Sequence, residues 1–167
     1  MVQDLICGLW HTSFTVADLE RSLAFYRDLL GLEVVVSQEQ DNAYTRRLVG
    51  MADARLRVAQ LRVPGAALGP SGHHLELVEY LAPRDEPLQV RTSRPGAPHL
   101  AFVVRDLPTI YRRLLEAGVP FVSPPVAIEA GVNGGGMTVY LRDPDGITLE
   151  LVQPPPNHSL PGGEGPR

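Results

Sequence analysis

At 167 residues, with 44% hydrophobic and 20% charged side chains, the chain has enough apolar material for one compact domain or two small fused modules. A formal charge of −4, with scattered arginines, gives no basic field for nucleic acid. Cys7 is the single cysteine, which excludes an intramolecular disulfide and a thiolate metal cluster and points to a reducing, cytoplasmic setting. The first residues, MVQDLICGLWH, carry an acid where an export signal needs positive charge, and no apolar run approaches the ~20 residues of a membrane span. All 15 basic residues are arginine. Without lysine there is no Schiff base, pyridoxal-phosphate anchor or phosphate-loop cation.

The chain repeats itself. His11 to Leu19 reads HTSFTVADL, and 88 residues later His99 to Leu107 reads HLAFVVRDL. In each copy an alternating strand runs into an aspartate placed to cap a helix, LERSLAFYRDLL in the first and LPTIYRRLLEA in the second. Leu19, Leu23, Phe25, Tyr26 and Leu30 form one apolar helix face, and Leu107, Ile110, Tyr111, Leu114 and Leu115 the other. Gly31 and Gly118 close the helices, and the strands LEVVVSQ and VPFVSPP follow. Strands at Arg55 to Val63 and His73 to Leu81 finish the first half; Met137 to Arg142 and Ile147 to Gln153, joined by the tight turn DPDG, finish the second. The expected fold is α+β, two βαβββ modules at 8–81 and 99–153. They are joined by a Pro-rich linker at 82–98 and followed by a disordered tail at 154–167 that removes His158 and Glu164 from consideration.

Alternation along strands puts His11, Ser13 and Thr15 on one face and Phe14 and Val16 on the other; His99, Ala101 and Val103 oppose Leu100, Phe102 and Val104 in the same way. The pattern LEL occurs twice, at Glu76 and at Glu150. Taken singly, each His reads as a hydrogen-bonded core or edge residue, Glu76 as a partner for Arg57 and Glu150 as a partner for Arg142. Taken together, one His and one Glu recur at matched positions of both halves. A carboxylate flanked by leucines is costly unless it is paired or metal-bound, so His11, Glu76, His99 and Glu150 are the expected metal ligands.

HTSFTVADLERSLAFYRDLLGLEVV, PHLAFVVRDL and VYLRDPDGITLELVQ resemble the vicinal oxygen chelate superfamily of glyoxalase I, methylmalonyl-CoA epimerase, extradiol dioxygenases and bleomycin resistance proteins, across about residues 8 to 153. The resemblance implies paired modules curling into an open barrel around one divalent ion (Zn, Ni, Co, Mn, Mg or Fe), with the four residues above on the family's ligand positions. Glu76 is similar to glyoxalase I at that position, where methylmalonyl-CoA epimerases carry Gln and fosfomycin-modifying transferases His. The stretch from His73 to Val104 resembles epimerase-like members, including those acting on coenzyme A thioesters or cyclitol ketones.

Two His and two carboxylates leave about two positions of an octahedral ion for substrate, which suits Lewis-acid chemistry. A proton next to a chelated carbonyl becomes acidic, and a carboxylate can remove it and return it elsewhere. The expected function is therefore a metal-dependent isomerase or epimerase, or a glyoxalase I-like lyase. Glu150 is the preferred base, Glu76 the second choice, with Glu39 and Asp41 as further options. Tyr44, Arg46, Arg47, His74 and Tyr140 are candidates for substrate contact, and Gly134 to Gly136 read as a flap or turn. A metal-free drug-sequestering protein and an extradiol-type dioxygenase are the alternatives. A homodimer is expected from the edge strands, with a small molecule and neither nucleic acid nor membrane as partner.

Overall fold

The computed structural model describes residues 5–66, 74–156 and 158, and the chain divides between Pro87 and Leu88 into two compact units. The first unit contains β1 (His11–Thr15), α1 (Leu19–Leu23), β2 (Glu33–Gln40), α2 (Ala43–Val49), β3 (Arg55–Arg62) and β4 (His74–Ala82). Its sheet has the order β1-β4-β3-β2, with β1 parallel to β4 and the other pairs antiparallel. The second unit repeats this with β5 (His99–Val103), α3 (Leu107–Glu116), β6 (Val126–Ala127), β7 (Met137–Arg142) and β8 (Thr148–Gln153), in the order β5-β8-β7-β6. This is the α+β duplication that the sequence repeat predicts.

Each aspartate of the repeat caps its helix. The Asp18 carboxylate accepts from the Arg21 amide and the Asp106 carboxylate from the Thr109 amide, both at 3.0 Å. A second tie is also duplicated. On the helix-facing side of β4 and β8, Glu79 accepts from the Leu19 amide at 3.2 Å and Gln153 from the Leu107 amide at 2.7 Å. The free amides of both first turns are thus met by the last strand of their own unit.

The apolar faces follow the expected alternation. Phe14, Val16, Leu19, Leu23, Tyr26, Leu61, Leu75 and Leu77 are buried in the first unit, and Leu107, Leu114, Val139, Leu141, Leu149 and Leu151 in the second. Two helix positions differ. Leu30 is only half-buried, because the helix after Leu23 widens into π-helical geometry over Ala24–Leu29, with the Leu30 amide donating to the Phe25 carbonyl at 2.9 Å. Leu115 is exposed, since α3 buries a narrower stripe centred on Leu107 and Leu114.

The second half departs further from the expected pattern. VPFVSPP lies beside β7 through the Val122 amide to the Tyr140 carbonyl and a bridge of Phe121 with Leu141, yet forms no regular strand. Pro120, Pro124 and Pro125 lack the amides a ladder needs, so pairing resumes only in the two-residue β6. Gly134 to Gly136 close the turn between β6 and β7; the Gly136 carbonyl accepts from the Ile128 amide, and a side chain at Gly136 would meet the Gln153 carbonyl at 2.4 Å. Among the described residues, no helix is long and apolar enough to cross a membrane. The tail positions 157 and 159–167, including Glu164, and His73 lie outside the described residues; the described His158 is exposed.

Candidate metal centre

In the first unit, parallel pairing of β1 with β4 sets Ser13 beside Glu76 and His11 beside His74. The side chains of His11 and Glu76 rise from one face of adjacent strands, and His11 Nε2 stands 3.6 Å from Glu76 Oε1. The other carboxylate oxygen, Oε2, accepts from the Gln60 amide at 3.0 Å; Gln60 is the cross-strand neighbour of Glu76 on β3.

The second unit repeats the arrangement. Ala101 pairs with Glu150, and His99 Nε2 stands 3.6 Å from Glu150 Oε2. The remaining oxygen, Oε1, accepts from the Thr138 hydroxyl at 2.6 Å. Tyr140, the cross-strand partner of Glu150, places its ring 5.7 Å from that of His99. In both pairs the glutamate is the more enclosed member, 17% and 18% exposed, and its histidine reaches further toward solvent.

The separation tests whether these donors suit a cation. At 3.6 Å a His–carboxylate contact is too long for a hydrogen bond. Two ligands on bonds of about 2.1 Å stand about 3.0 Å apart at a right angle and about 3.6 Å apart at about 120°. Within each unit the pair therefore has a spacing that two ligands of an ion reach at about 120°, wider than the right angle of an octahedron. Each carboxylate also has one oxygen tied by a neutral donor and the other turned to its histidine, the outer support that orients metal ligands. Among the described residues, no group of three or more His, Cys, Asp or Glu side chains gathers to hold an ion, so each unit brings together a pair.

Arginine does not account for the two glutamates. Arg57 donates to Glu79 at 2.6 and 3.0 Å, on the opposite face from Glu76, and the hydrogen bond with Glu79 holds its guanidinium pKa above the usual value. Arg84 joins the same carboxylate at 3.1 Å. Arg142 donates to the Gly146 carbonyl and the Thr148 hydroxyl rather than to Glu150.

The remaining candidates divide. His74 is buried beside His11 and Trp10, with ring centroids at 5.7 and 6.2 Å. Tyr44, Arg46 and Arg47 lie on α2, a helix not anticipated from the sequence; Tyr44 and Arg47 are exposed and Arg46 is bonded to Asp41. Asp41 also faces Arg55 at 3.5 Å, and Glu39 is an exposed β2 residue opposite Arg57. Gln60 and Thr138 went unrecognised in the sequence. Their signal is an uncharged polar residue on a closing strand, RLRVAQLRV or MTVYLR, readable only once the register with the LEL strand is known.

The Glyoxalase/Bleomycin resistance protein/Dioxygenase superfamily pattern matches residues 8–151, and the chain belongs to that superfamily. Among named relatives, a 2-epi-5-epi-valiolone epimerase from Actinomyces sp. is 36% identical over 87% of this chain and 78% of its own length. A lactoylglutathione lyase from Haemophilus influenzae is 27% identical over 93% of this chain and 96% of its own. In fold, the chain is similar to a glyoxalase family protein from Bacillus cereus, with a TM-score of 0.77 at 18% identity over 93% of this chain and 99% of that one.

Proposed function

We propose that the chain is a divalent-cation-dependent epimerase that moves a proton next to the carbonyl of a polyhydroxylated cyclic ketone. The observation that carries this reading is the duplicated His–Glu pair, 3.6 Å in both units, each with one carboxylate oxygen tied back. The likeness to a cyclitol-ketone epimerase supports the substrate class. His11, Glu76, His99 and Glu150 would hold the ion, the two pairs coming from one chain or from two copies in a homodimer. When bound, the ion would supply Lewis-acid polarisation of the substrate carbonyl.

The two glutamates differ in what a proton would meet. The Gln60 amide donates to Glu76 Oε2, so a proton on that oxygen would face a donor. Thr138 Oγ1 lies 2.6 Å from Glu150 Oε1 and 3.1 Å from the Leu151 carbonyl, and its single proton has two places to go. While Glu150 is a carboxylate, the hydroxyl donates to it. Once Glu150 takes a proton, the hydroxyl turns to Leu151 and accepts from the new acid. Glu150 is therefore the proton carrier, with Glu76 fixed as a ligand. Tyr140, beside His99 and opposite Glu150, borders the same face.

Incubation in heavy water tests this reading directly. Cation-loaded protein should wash deuterium into the α position of a cyclitol ketone in preference to an α-hydroxy ketone or a 2-methylmalonyl thioester, and Glu150→Gln should lose the exchange. Absence of exchange on all three, or oxygen uptake with catechols, would refute it.

A further inference from the structure

The first unit buries an imidazole that finds no hydrogen-bond partner among the described residues. His74 opens β4 at 7% exposure, and among the described residues neither of its ring nitrogens has a hydrogen-bond partner. Neutral imidazole carries one donor and one acceptor, and leaving both unmet destabilises the fold. The fold itself does not require that arrangement. In the second unit the equivalent register position, opposite His99, is Thr148, whose buried hydroxyl is taken by Arg142. A strained polar group kept on the face of a proposed reaction site is the pattern expected of a residue retained for ligand recognition.

Its surroundings limit what that ligand is. His74 shares the sheet face of His11 and Glu76, with the rings of His11 and Trp10 standing edge-on to it. Arg57 and Arg84, the guanidiniums that could pair with a ligand's carboxylate or phosphate, are held on the other face by Glu79. A hydroxyl, both donor and acceptor, matches either nitrogen without charge. Both His74 nitrogens are enclosed, so Trp10, which covers His74 and is itself 59% exposed, must swing aside to admit a hydroxyl, and its face then offers a wide apolar surface to a ring's C–H groups.

Resting on the epimerase reading for its substrate class, we propose that His74 is the specificity-determining residue of the site, hydrogen-bonding a ring hydroxyl of the cyclic ketone while Trp10 takes its C–H face. The test pairs stability with binding, in the cation-loaded full chain. His74→Leu, which removes two unmet polar atoms, should raise Tm by about 3 °C. The same change should weaken calorimetric binding of 2-keto-myo-inositol by about tenfold or more. One mono-deoxy analogue should bind wild type as weakly as the parent ketone binds His74→Leu, and the variant should not distinguish the two. His74→Gln, which restores a donor and an acceptor, should recover part of that discrimination. Lower stability with unchanged binding in His74→Leu would make His74 structural and overturn the proposal. So would failure of wild type to bind any of these ketones. Hydroxyl-dependent binding through His74 without deuterium exchange would leave the proposal standing and sink the epimerase reading instead.

Discussion

Replacing Thr138 with valine removes one hydrogen bond and almost nothing else. The side chains have nearly the same shape, so β7 keeps its packing, but Glu150 Oε1 loses a 2.6 Å donor. A hydrogen bond to a charged group contributes about 1.5–3 kcal/mol. Outer-shell partners of metal ligands typically change affinity by about 10–100-fold, equivalent to about 1.4–2.7 kcal/mol, so the two estimates agree. Thr138→Val should therefore weaken divalent-ion binding about 30-fold, and Thr138→Ser should restore most of it. Gln60→Leu, which removes a neutral amide at 3.0 Å from Glu76, should lie nearer 10-fold. Competition against a chromophoric chelator for zinc or manganese measures both. Affinities within about twofold of wild type in folded Thr138→Val and Gln60→Leu would refute the view that these residues position metal-ligating carboxylates.

Glu79 offers a test of the helix tie. Glu79→Gln preserves an acceptor for the Leu19 amide, as Gln153 does for Leu107, whereas Glu79→Leu strands both that amide and Arg57. The leucine variant should lose about 3 kcal/mol in denaturant unfolding, the low end for a broken buried ion pair because Arg57 and Arg84 keep access to water. The glutamine variant should lose about 1 kcal/mol; equal losses would contradict the account. The pH dependence follows from the caps. Hydrogen bonds from the Arg21 and Thr109 amides hold the carboxyls of Asp18 and Asp106 below the usual aspartate range. Folded values below unfolded ones mean that the caps contribute fully above about pH 4 and lose that contribution as pH falls through the folded values. Asp18→Asn with Asp106→Asn should flatten the fall of Tm with pH below about pH 4 and change Tm little above about pH 5. An acid limb as steep as that of wild type would count against it.

Much of the fold was legible because the duplication repeats both a strand pattern and its capping aspartate, and two repeats restrain each other. Alternation likewise separated Glu76 and Glu150 from the leucines beside them. The hidden parts have identifiable causes. Helix α2 shows no apolar face, since Tyr44 and Leu48 are exposed; only the Asn42 cap, accepting from the Thr45 amide at 2.9 Å, and left-handed Gly50 mark its ends. VPFVSPP has the hydrophobicity of a strand, but its prolines deny it a ladder. Gln60 stands directly opposite Glu76, and Thr138 two residues along from Tyr140, the partner of Glu150, so both depend on strand register, and a one-residue change would send them to the other face. For His74, the pattern gave the face, while the lack of a partner among the described residues emerged only from its packing under Trp10.

In the proposed epimerase two separate His–Glu pairs serve one ion, and loading stoichiometry measures that directly. Protein stripped of metal, reloaded with manganese or zinc and cleared of excess should carry about one ion per chain, and alanine at His11, Glu76, His99 or Glu150 should each remove most of it. Two ions per chain, one for each pair, or a full ion retained when either pair is deleted, would contradict it.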